Sequence, residues 1–156
     1  MKIKTRNFGE LEFPEEAIID FEEGIVGFSS LKRWIVIENP EMRPFKWLQS
    51  VDNPEIALMV IEPRLIRADY KMIIAAEEHK KIKLENLGNE KKWIALCVIV
   101  VDNNIEDSIV NLKAPIIINL DDRKGRQVIL LNDDYDVEEP LFSREVLEMK
   151  RERENP

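Results

Sequence analysis

Cys97 and His79 are the first candidates for chemistry, since a thiolate beside an imidazole can act as a nucleophile. They are the one cysteine and the one histidine of the chain. Cys97 lies inside the apolar run 93–101, where a small buried side chain is expected, whereas a reactive thiolate needs accessible, electropositive surroundings. His79 stands among Glu and Lys residues, a pattern typical of a solvated surface. We therefore predict no Cys–His dyad, and a single pair of such ligands also excludes a Cys/His zinc cluster within the chain.

An acidic run at residues 132–139 carries five carboxylates and no basic residue. It lacks the sixth-position Gly and the twelfth-position Glu with which an EF-hand loop binds Ca²⁺. A plain surface loop or an acidic patch facing a partner accounts for it better. The sequence also holds no phosphate-binding glycine loop, dinucleotide fingerprint or serine nucleophile elbow. The prediction is a binding protein rather than an enzyme, with no metal and no cofactor.

The bulk composition is that of one acidic globular domain. The chain has 156 residues, of which 44% are hydrophobic and 35% charged, and its net charge is −8. A chain of this length can fold without a metal or disulfides. Its acidity disfavours direct nucleic-acid binding and favours basic protein partners. No apolar run reaches the roughly 20 residues of a membrane-spanning helix, and no signal-peptide segment is recognisable. We expect a cytoplasmic protein with no membrane contact.

Short apolar segments separated by turn residues predict a mainly β fold, a single compact antiparallel β-barrel-like domain with short helical additions and a C-terminal helix. Residues 116–118 and 128–131 flank a Gly-containing turn and are expected to pair as a hairpin. Further strands are predicted at 8–13, 18–21, 34–38, 45–49, 56–61 and 92–101.

Helices are predicted in two places. Residues 79–87 fit a short helix, and Ser143 is expected to cap the helix at the C-terminus. Residues 70–76 are apolar and fit either a strand or a helix. We assign residues 1–150 to the domain and expect the charged segment 151–156 to be frayed.

Four segments resemble, in the same order, those of the flagellar assembly factor FliW family. Residues 21–28 (FEEGIVGF) are similar to its F-x-x-G-I-x-G-F stretch, although Val26 stands where the family commonly has proline. Residues 44–50 (PFKWLQS), 111–119 (NLKAPIIIN) and 125–130 (GRQVIL) match further stretches. Each match is weak singly, whereas the ordered set is specific.

The resemblance implies a β-barrel-like protein with two alternative partners. One is CsrA, a small dimeric regulator that represses translation by binding messenger RNA, and the other is flagellin. In the family's partner switch, flagellin export frees FliW, which then binds CsrA and relieves repression of flagellin translation. The resemblance further implies that the protein acts on CsrA allosterically. An acidic nucleic-acid mimic that occupies the basic RNA-binding groove directly is the alternative reading.

Eight residues are candidates for partner contacts. Gln49, Ser50 and Asp52 are polar and follow an apolar strand, and Asn111 and Lys113 precede Pro115 in a similar way. Turn and capping hydrogen bonds explain such residues equally well. The full set is Leu48, Gln49, Ser50, Asp52, Asn111, Lys113, Asp133 and Asp134.

Overall fold

The computed structural model describes residues 1–83, 92–143, 147–149 and 152, in which β-strands dominate. An α-helix, α1, spans Ala76–Ile82, further helical residues lie at 147–149 and 152, and 3₁₀ turns lie at Glu15–Ala17, Pro40–Met42, Pro63–Leu65 and Ile105–Asp107. The strands are β1 Lys2–Thr5, β2 Gly9–Glu12, β3 Ile19–Asp20, β4 Arg33–Glu38, β5 Lys46–Ser50, β6 Ala57–Ile61, β7 Trp93–Val100, β8 Ile109–Val110, β9 Ile116–Asn119, β10 Lys124–Gln127 and β11 Glu139–Pro140.

Seven strands close into a barrel in the order β7-β6-β5-β4-β3-β10-β9, and β9 pairs back with β7. The long strand β7 makes this closure possible because it pairs with two strands, β8 and β9, along one edge. Its first half pairs with β9, from Trp93 opposite Asn119, while Ile99 and Val100 pair with β8. Strand β11 extends the sheet beyond β8, and β1 and β2 form a separate hairpin. Closure pairs the strands on both edges and leaves fewer exposed sheet edges.

The joint between β3 and β10 is packed through Gly125. Strands β3 and β10 run parallel and share a single pair, Asp20 with Lys124. The next residue, Gly125, packs against the ring of Phe21, and a Cβ atom at this position would overlap that ring. Phe21 is completely buried. The glycine is therefore required for packing at the joint, since any larger residue would have to displace an aromatic core side chain.

Large apolar side chains fill the barrel interior. Phe21 and Trp34 meet edge to face with ring centroids 6.4 Å apart, and Leu48, Leu96 and Ile116 complete the same fully buried cluster. A second cluster around Tyr70, Leu112, Leu130 and Tyr135 lies beside β7 and β8. The alternation of apolar residues along short strands thus builds a continuous core, as the predicted mainly β class requires.

The strand predictions at 34–38, 45–49, 56–61 and 92–101 are confirmed by β4, β5, β6 and β7, with shifts of one residue at some ends. Only Ile19–Asp20 of the predicted strand at 18–21 is a strand. The predicted strand at 8–13 is confirmed by β2 at Gly9–Glu12, which pairs with β1 in a hairpin.

The hairpin prediction placed its second strand wrongly. Strand β9 pairs with β10 at Lys124–Gln127, so residues 128–131 lie beyond the hairpin. The side chain of Asn119 sets the tighter turn, because its Oδ1 accepts hydrogen bonds from the backbone N–H groups of Asp121 and Asp122, each at 3.1 Å. Gly125 belongs to strand β10 rather than to the turn, and there it packs directly against the Phe21 ring.

The helical predictions are partly met. Helix α1 begins three residues before the predicted start at His79, and residues 84–87 lie outside the described residues. The ambiguous stretch 70–76 is neither strand nor helix before Ala76. The C-terminal helix is present at 147–149 and 152, and the Leu147 N–H donates to the Ser143 carbonyl at 3.1 Å. The predicted frayed segment lies outside the described residues except for 152. Within the described part of the chain, no helix is long and apolar enough to cross a membrane.

Candidate partner-binding surface

The acidic run at 132–139 forms a loop, called here the acidic loop, which Tyr135 fastens to the barrel. The Tyr135 ring is buried, and its hydroxyl accepts a hydrogen bond from the backbone N–H of Lys71 at 2.8 Å. Glu139 closes the far end: one carboxylate oxygen accepts from the Asp136 N–H and the other from Arg67, each at 2.9 Å. The loop is thus held at its middle and its end while its remaining acids face solvent.

Lys113 joins a second segment with predicted contact residues, 111–113, to the acidic loop. Its ammonium donates to the Asn132 carbonyl at 2.6 Å and lies 3.6 Å from the Asp133 carboxylate. Its backbone N–H donates to the Asp136 carbonyl at 3.2 Å. Asn111 has a turn role, since its Oδ1 accepts from the Ala114 N–H at 3.0 Å. The structure therefore brings together Lys113 and Asp133, which are distant in sequence, whereas the side-chain hydrogen bond of Asn111 is local to its own turn.

Asp133 and Asp134 are exposed acids at the start of the acidic loop. The Asp133 side chain is fully exposed. Asp134 accepts a hydrogen bond from the Asn132 amide at 2.7 Å, and that amide also donates to the Lys71 carbonyl at 3.0 Å. These bonds order the start of the loop without covering its carboxylates. An ordered cluster of exposed like charges is suited to electrostatic attraction of a basic partner.

The expectation that Gln49 and Ser50 are surface residues is wrong, and Leu48 also lies in the interior; all three are fully buried. The Gln49 amide N–H₂ group donates to the carbonyls of Ser50, Pro54 and Ile56 at 2.9–3.1 Å, and within the described chain its Oε1 has no hydrogen-bond partner. Ser50 Oγ accepts from the Asn53 N–H at 2.9 Å. Strand β5 lies between β4 and β6, so its end carries turn-fixing polar groups rather than a contact surface.

Asp52 is exposed but occupied by internal contacts. Its carboxylate accepts from the backbone N–H groups of Lys32 and Arg33 at 2.9 and 3.0 Å, and from Arg33 Nε at 2.7 Å. Partial burial alone would raise its pKa, but the hydrogen bonds from Arg33 and from the two N–H groups outweigh burial and lower that pKa below its ordinary value. Asp52 joins two chain segments and lies apart from the contacts of the acidic loop.

Sequence reasoning missed an apolar strip formed by Ile73, Ile129 and Leu131, which are 48%, 69% and 61% exposed. The Leu131 N–H donates to the Ile73 carbonyl at 2.8 Å, so the two segments lie side by side. The alternation of Val128 and Leu130, both buried, with Ile129 and Leu131 could have indicated the strip. The hairpin prediction treats residues 128–131 as one strand and does not distinguish its buried face from its exposed face.

Arg126 was also missed, and it joins three elements. Its guanidinium on β10 makes a bidentate ion pair with Glu78 on α1 and a 2.9 Å contact with Glu23. The hydrogen bond from Arg126 lowers the pKa of Glu78 more than partial burial raises it. Beside this pair, Gln127 Oε1 accepts from the Val26 N–H at 3.0 Å, so β10 holds the glycine-containing loop at 24–27 in place.

The two groups considered for chemistry lie on different elements. Cys97 is fully buried in β7, and burial raises the pKa of its thiol to about 12. His79 lies on α1. Among residues 1–83, 92–143, 147–149 and 152, no group of three or more His, Cys, Asp or Glu side chains is arranged to hold a metal ion. The acidic loop and the apolar strip beside it are therefore the candidate partner-binding surface.

These features define a small closed β-barrel protein with an acidic, partly apolar face. The family model described as "FliW protein" matches residues 2–141. The flagellar assembly factor FliW of Caldanaerobacter subterraneus subsp. tengcongensis is 42% identical over 143 residues, covering 91% of this chain and 93% of the relative. That of Thermotoga petrophila is 37% identical over 147 residues, covering 94% and 95%.

A solved structure supports the same assignment. The crystal structure of a flagellar assembly factor FliW superimposes with a TM-score of 0.82 at 32% identity, covering 94% of this chain and 100% of that chain. The chain belongs to the FliW family of flagellar assembly factors. The family resemblance drawn from the four ordered segments is confirmed, as is the mainly β, barrel-like fold.

Proposed function

We propose that this protein acts by binding other proteins, as a CsrA antagonist that alternately binds flagellin. In this scheme it relieves repression of flagellin translation when it binds CsrA, and flagellin competes for it. The observation that carries the proposal is the family match over residues 2–141, which includes every strand of the barrel. The ordered acidic loop adds physical support, since an RNA-binding partner must present positive charge to the phosphate backbone.

A partner switch places a quantitative demand on both complexes. Binding of one partner must cost the other most of its affinity, and this coupling is reciprocal. For competition at micromolar concentrations, each complex needs a binding free energy of about −8 to −12 kcal/mol. Electrostatic attraction would raise the association rate for a basic partner more than it raises affinity.

The test is size-exclusion chromatography of the purified protein with CsrA, with flagellin, and with both. We expect two binary complexes and displacement of one partner by an excess of the other. A stable complex of all three proteins would contradict an exclusive switch. The variant His79→Ala with Cys97→Ser should retain both complexes, because the proposal assigns neither residue a chemical role. If this variant still bound both partners but no longer relieved the repression of translation, an enzymatic function would be favoured instead.

A nucleic-acid mimic is the second candidate, and the exposed carboxylates of Asp133, Asp134 and Asp136 favour it. A mimic would place these acids in the RNA-binding groove, so reversing their charge would abolish CsrA binding. An allosteric antagonist would instead show a slower association rate and weaker salt dependence with modest loss of affinity. Binding of a short target RNA at saturating concentrations separates the two: a mimic excludes the RNA completely, whereas an allosteric antagonist allows CsrA to bind both, each with reduced affinity.

A further inference from the structure

The apolar strip is one face of a two-segment ribbon. On the inner face, Met72 and Ile74 pack with Val128 and Leu130 in the core clusters. On the outer face, Ile73, Ile129 and Leu131 point to solvent. Single exposed apolar residues are ordinary on a protein surface. Here hydrogen bonding sets the two segments side by side, so the exposed side chains form one contiguous strip, and such strips with a polar rim mark interaction sites.

The acidic loop begins where the strip ends. Leu131 is followed by Asn132, whose side chain joins both segments: its Oδ1 accepts from the Ile73 N–H at 3.1 Å and its amide donates to the Lys71 carbonyl. Asp133 and Asp134 follow at once. Lys113 neutralises part of this charge through its contact with Asp133, and the loop still carries a net negative charge. An apolar contact area and an acidic rim are thus fixed in one geometry.

We propose that the apolar strip and the acidic loop together form the docking surface for a basic amphipathic segment of the RNA-binding partner. Apolar side chains of that segment cover Ile73, Ile129 and Leu131, and its Lys or Arg side chains face Asp133 and Asp134. This inference rests on the proposed function, since it assigns the surface to CsrA.

Charge and apolarity together select this occupant over others. A nucleic acid would be repelled by the loop and would leave the aliphatic strip without a complementary group. A second copy of this chain would bring a second acidic loop to the same interface, where like charges oppose association. A basic amphipathic protein segment satisfies both halves of the surface.

The experiment replaces the strip while keeping strand-compatible shapes. The variant Ile129→Thr with Leu131→Thr is compared with Ile105→Thr with Leu120→Thr, which removes apolar residues of comparable exposure, 54% and 48%, outside the strip. Binding of purified CsrA and of purified flagellin is measured by titration calorimetry, and thermal unfolding of each variant checks its folding. We expect the strip variant to bind CsrA at least tenfold more weakly and the control variant to bind it as the wild type does.

The charge half of the surface is tested separately by Asp133→Lys with Asp134→Lys. We expect slower association with CsrA and a weaker salt dependence of its rate. The single variant Ile129→Gln repeats the affinity test if the double variant unfolds. CsrA binding that is unchanged in the strip variants would overturn the inference.

Three specific outcomes would each point to a different explanation. Loss of flagellin affinity with unchanged CsrA affinity would assign the strip to flagellin and overturn the choice of occupant. A wild-type dimer that the strip variant dissociates, seen by light scattering, would make the strip an interface between copies and overturn it as well. Failure of the wild-type protein to bind CsrA at all would refute the proposed function itself.

Discussion

Tyr135 stacks on Tyr70, with ring centroids 4.6 Å apart and ring planes inclined by 28°. Tyr70 donates its hydroxyl to the Leu112 carbonyl at 2.7 Å, while the Tyr135 hydroxyl accepts from the Lys71 N–H. Burial raises the pKa of Tyr70, so its hydroxyl stays protonated and able to donate. The stacked pair therefore connects the acidic loop to the core beside β7 and β8.

Tyr135→Ala should destabilise the protein by about 3 kcal/mol, the usual cost of removing a large buried aromatic side chain. Tyr135→Phe keeps the stacked ring and removes only the acceptor for the Lys71 N–H, so it should cost about 1 kcal/mol. Urea unfolding followed by circular dichroism measures both. Equal losses for the two variants would mean that the hydroxyl, and not the ring, holds the loop.

Gln49→Met should destabilise the protein by about 2 kcal/mol, because it withdraws the amide donors from buried carbonyl groups while keeping the side-chain volume. Gln49→Glu should cost more, since it sets a carboxylate against the same carbonyls. Both changes are measured by chemical unfolding.

Partner affinity provides a second readout for the Gln49 variants. Because Gln49 is fully buried, folded Gln49→Met should bind partners with wild-type affinity. A large loss of affinity without loss of stability would restore Gln49 to the contact surface.

Glu78→Gln should reduce the acid sensitivity of the fold. Arg126 lowers the pKa of folded Glu78, so this carboxylate contributes its full stability above the ordinary glutamate pKa and loses it as pH falls through the lowered value. The variant should lose about 1 kcal/mol at neutral pH and lose less than the wild type on acidification. Thermal unfolding from about pH 7 to pH 3 tests this, with exposed Glu77→Gln as the control. A variant with the acid profile of the wild type would contradict the assignment.

Gly125→Ala should destabilise the barrel by about 1–3 kcal/mol, the usual cost of overpacking, because the new methyl group would overlap the Phe21 ring. Adding Phe21→Leu should recover part of that loss, although Phe21→Leu alone is itself destabilising. A double-mutant cycle measured by urea unfolding gives the coupling energy. Strict additivity of the two changes would show that the methyl group is accommodated by backbone movement instead.

The predictable parts of this protein are those that depend on local pattern. Apolar runs located β4 to β7, and Cys97 was placed correctly in the core because its neighbours are apolar. Sequence alone misplaced β10, because the hairpin turn depends on Asn119 and on the packing of Gly125 against Phe21. Contacts of this kind join residues far apart in the chain and leave no local periodicity.

The same distinction separates the candidate contact residues. A polar side chain at a strand end can face solvent or bond to the turn that follows, and sequence does not distinguish the two. For Gln49 and Ser50 the neighbouring strands bury the position, and the polar groups serve the turn. The side chain of Asp133, by contrast, is fully exposed in the part of the chain that the structure describes.

The mainly β class, the acidic character and the family could be read from the sequence, because composition, short-range periodicity and ordered motifs are properties of the chain. Only the folded arrangement brings the acidic loop, Lys113 and the strip of Ile73, Ile129 and Leu131 next to one another. Barrel closure and the Tyr70–Tyr135 stack bring these segments together. The side chains of Ile73, Ile129 and Leu131 stay exposed, whereas their neighbours Val128 and Leu130 are buried.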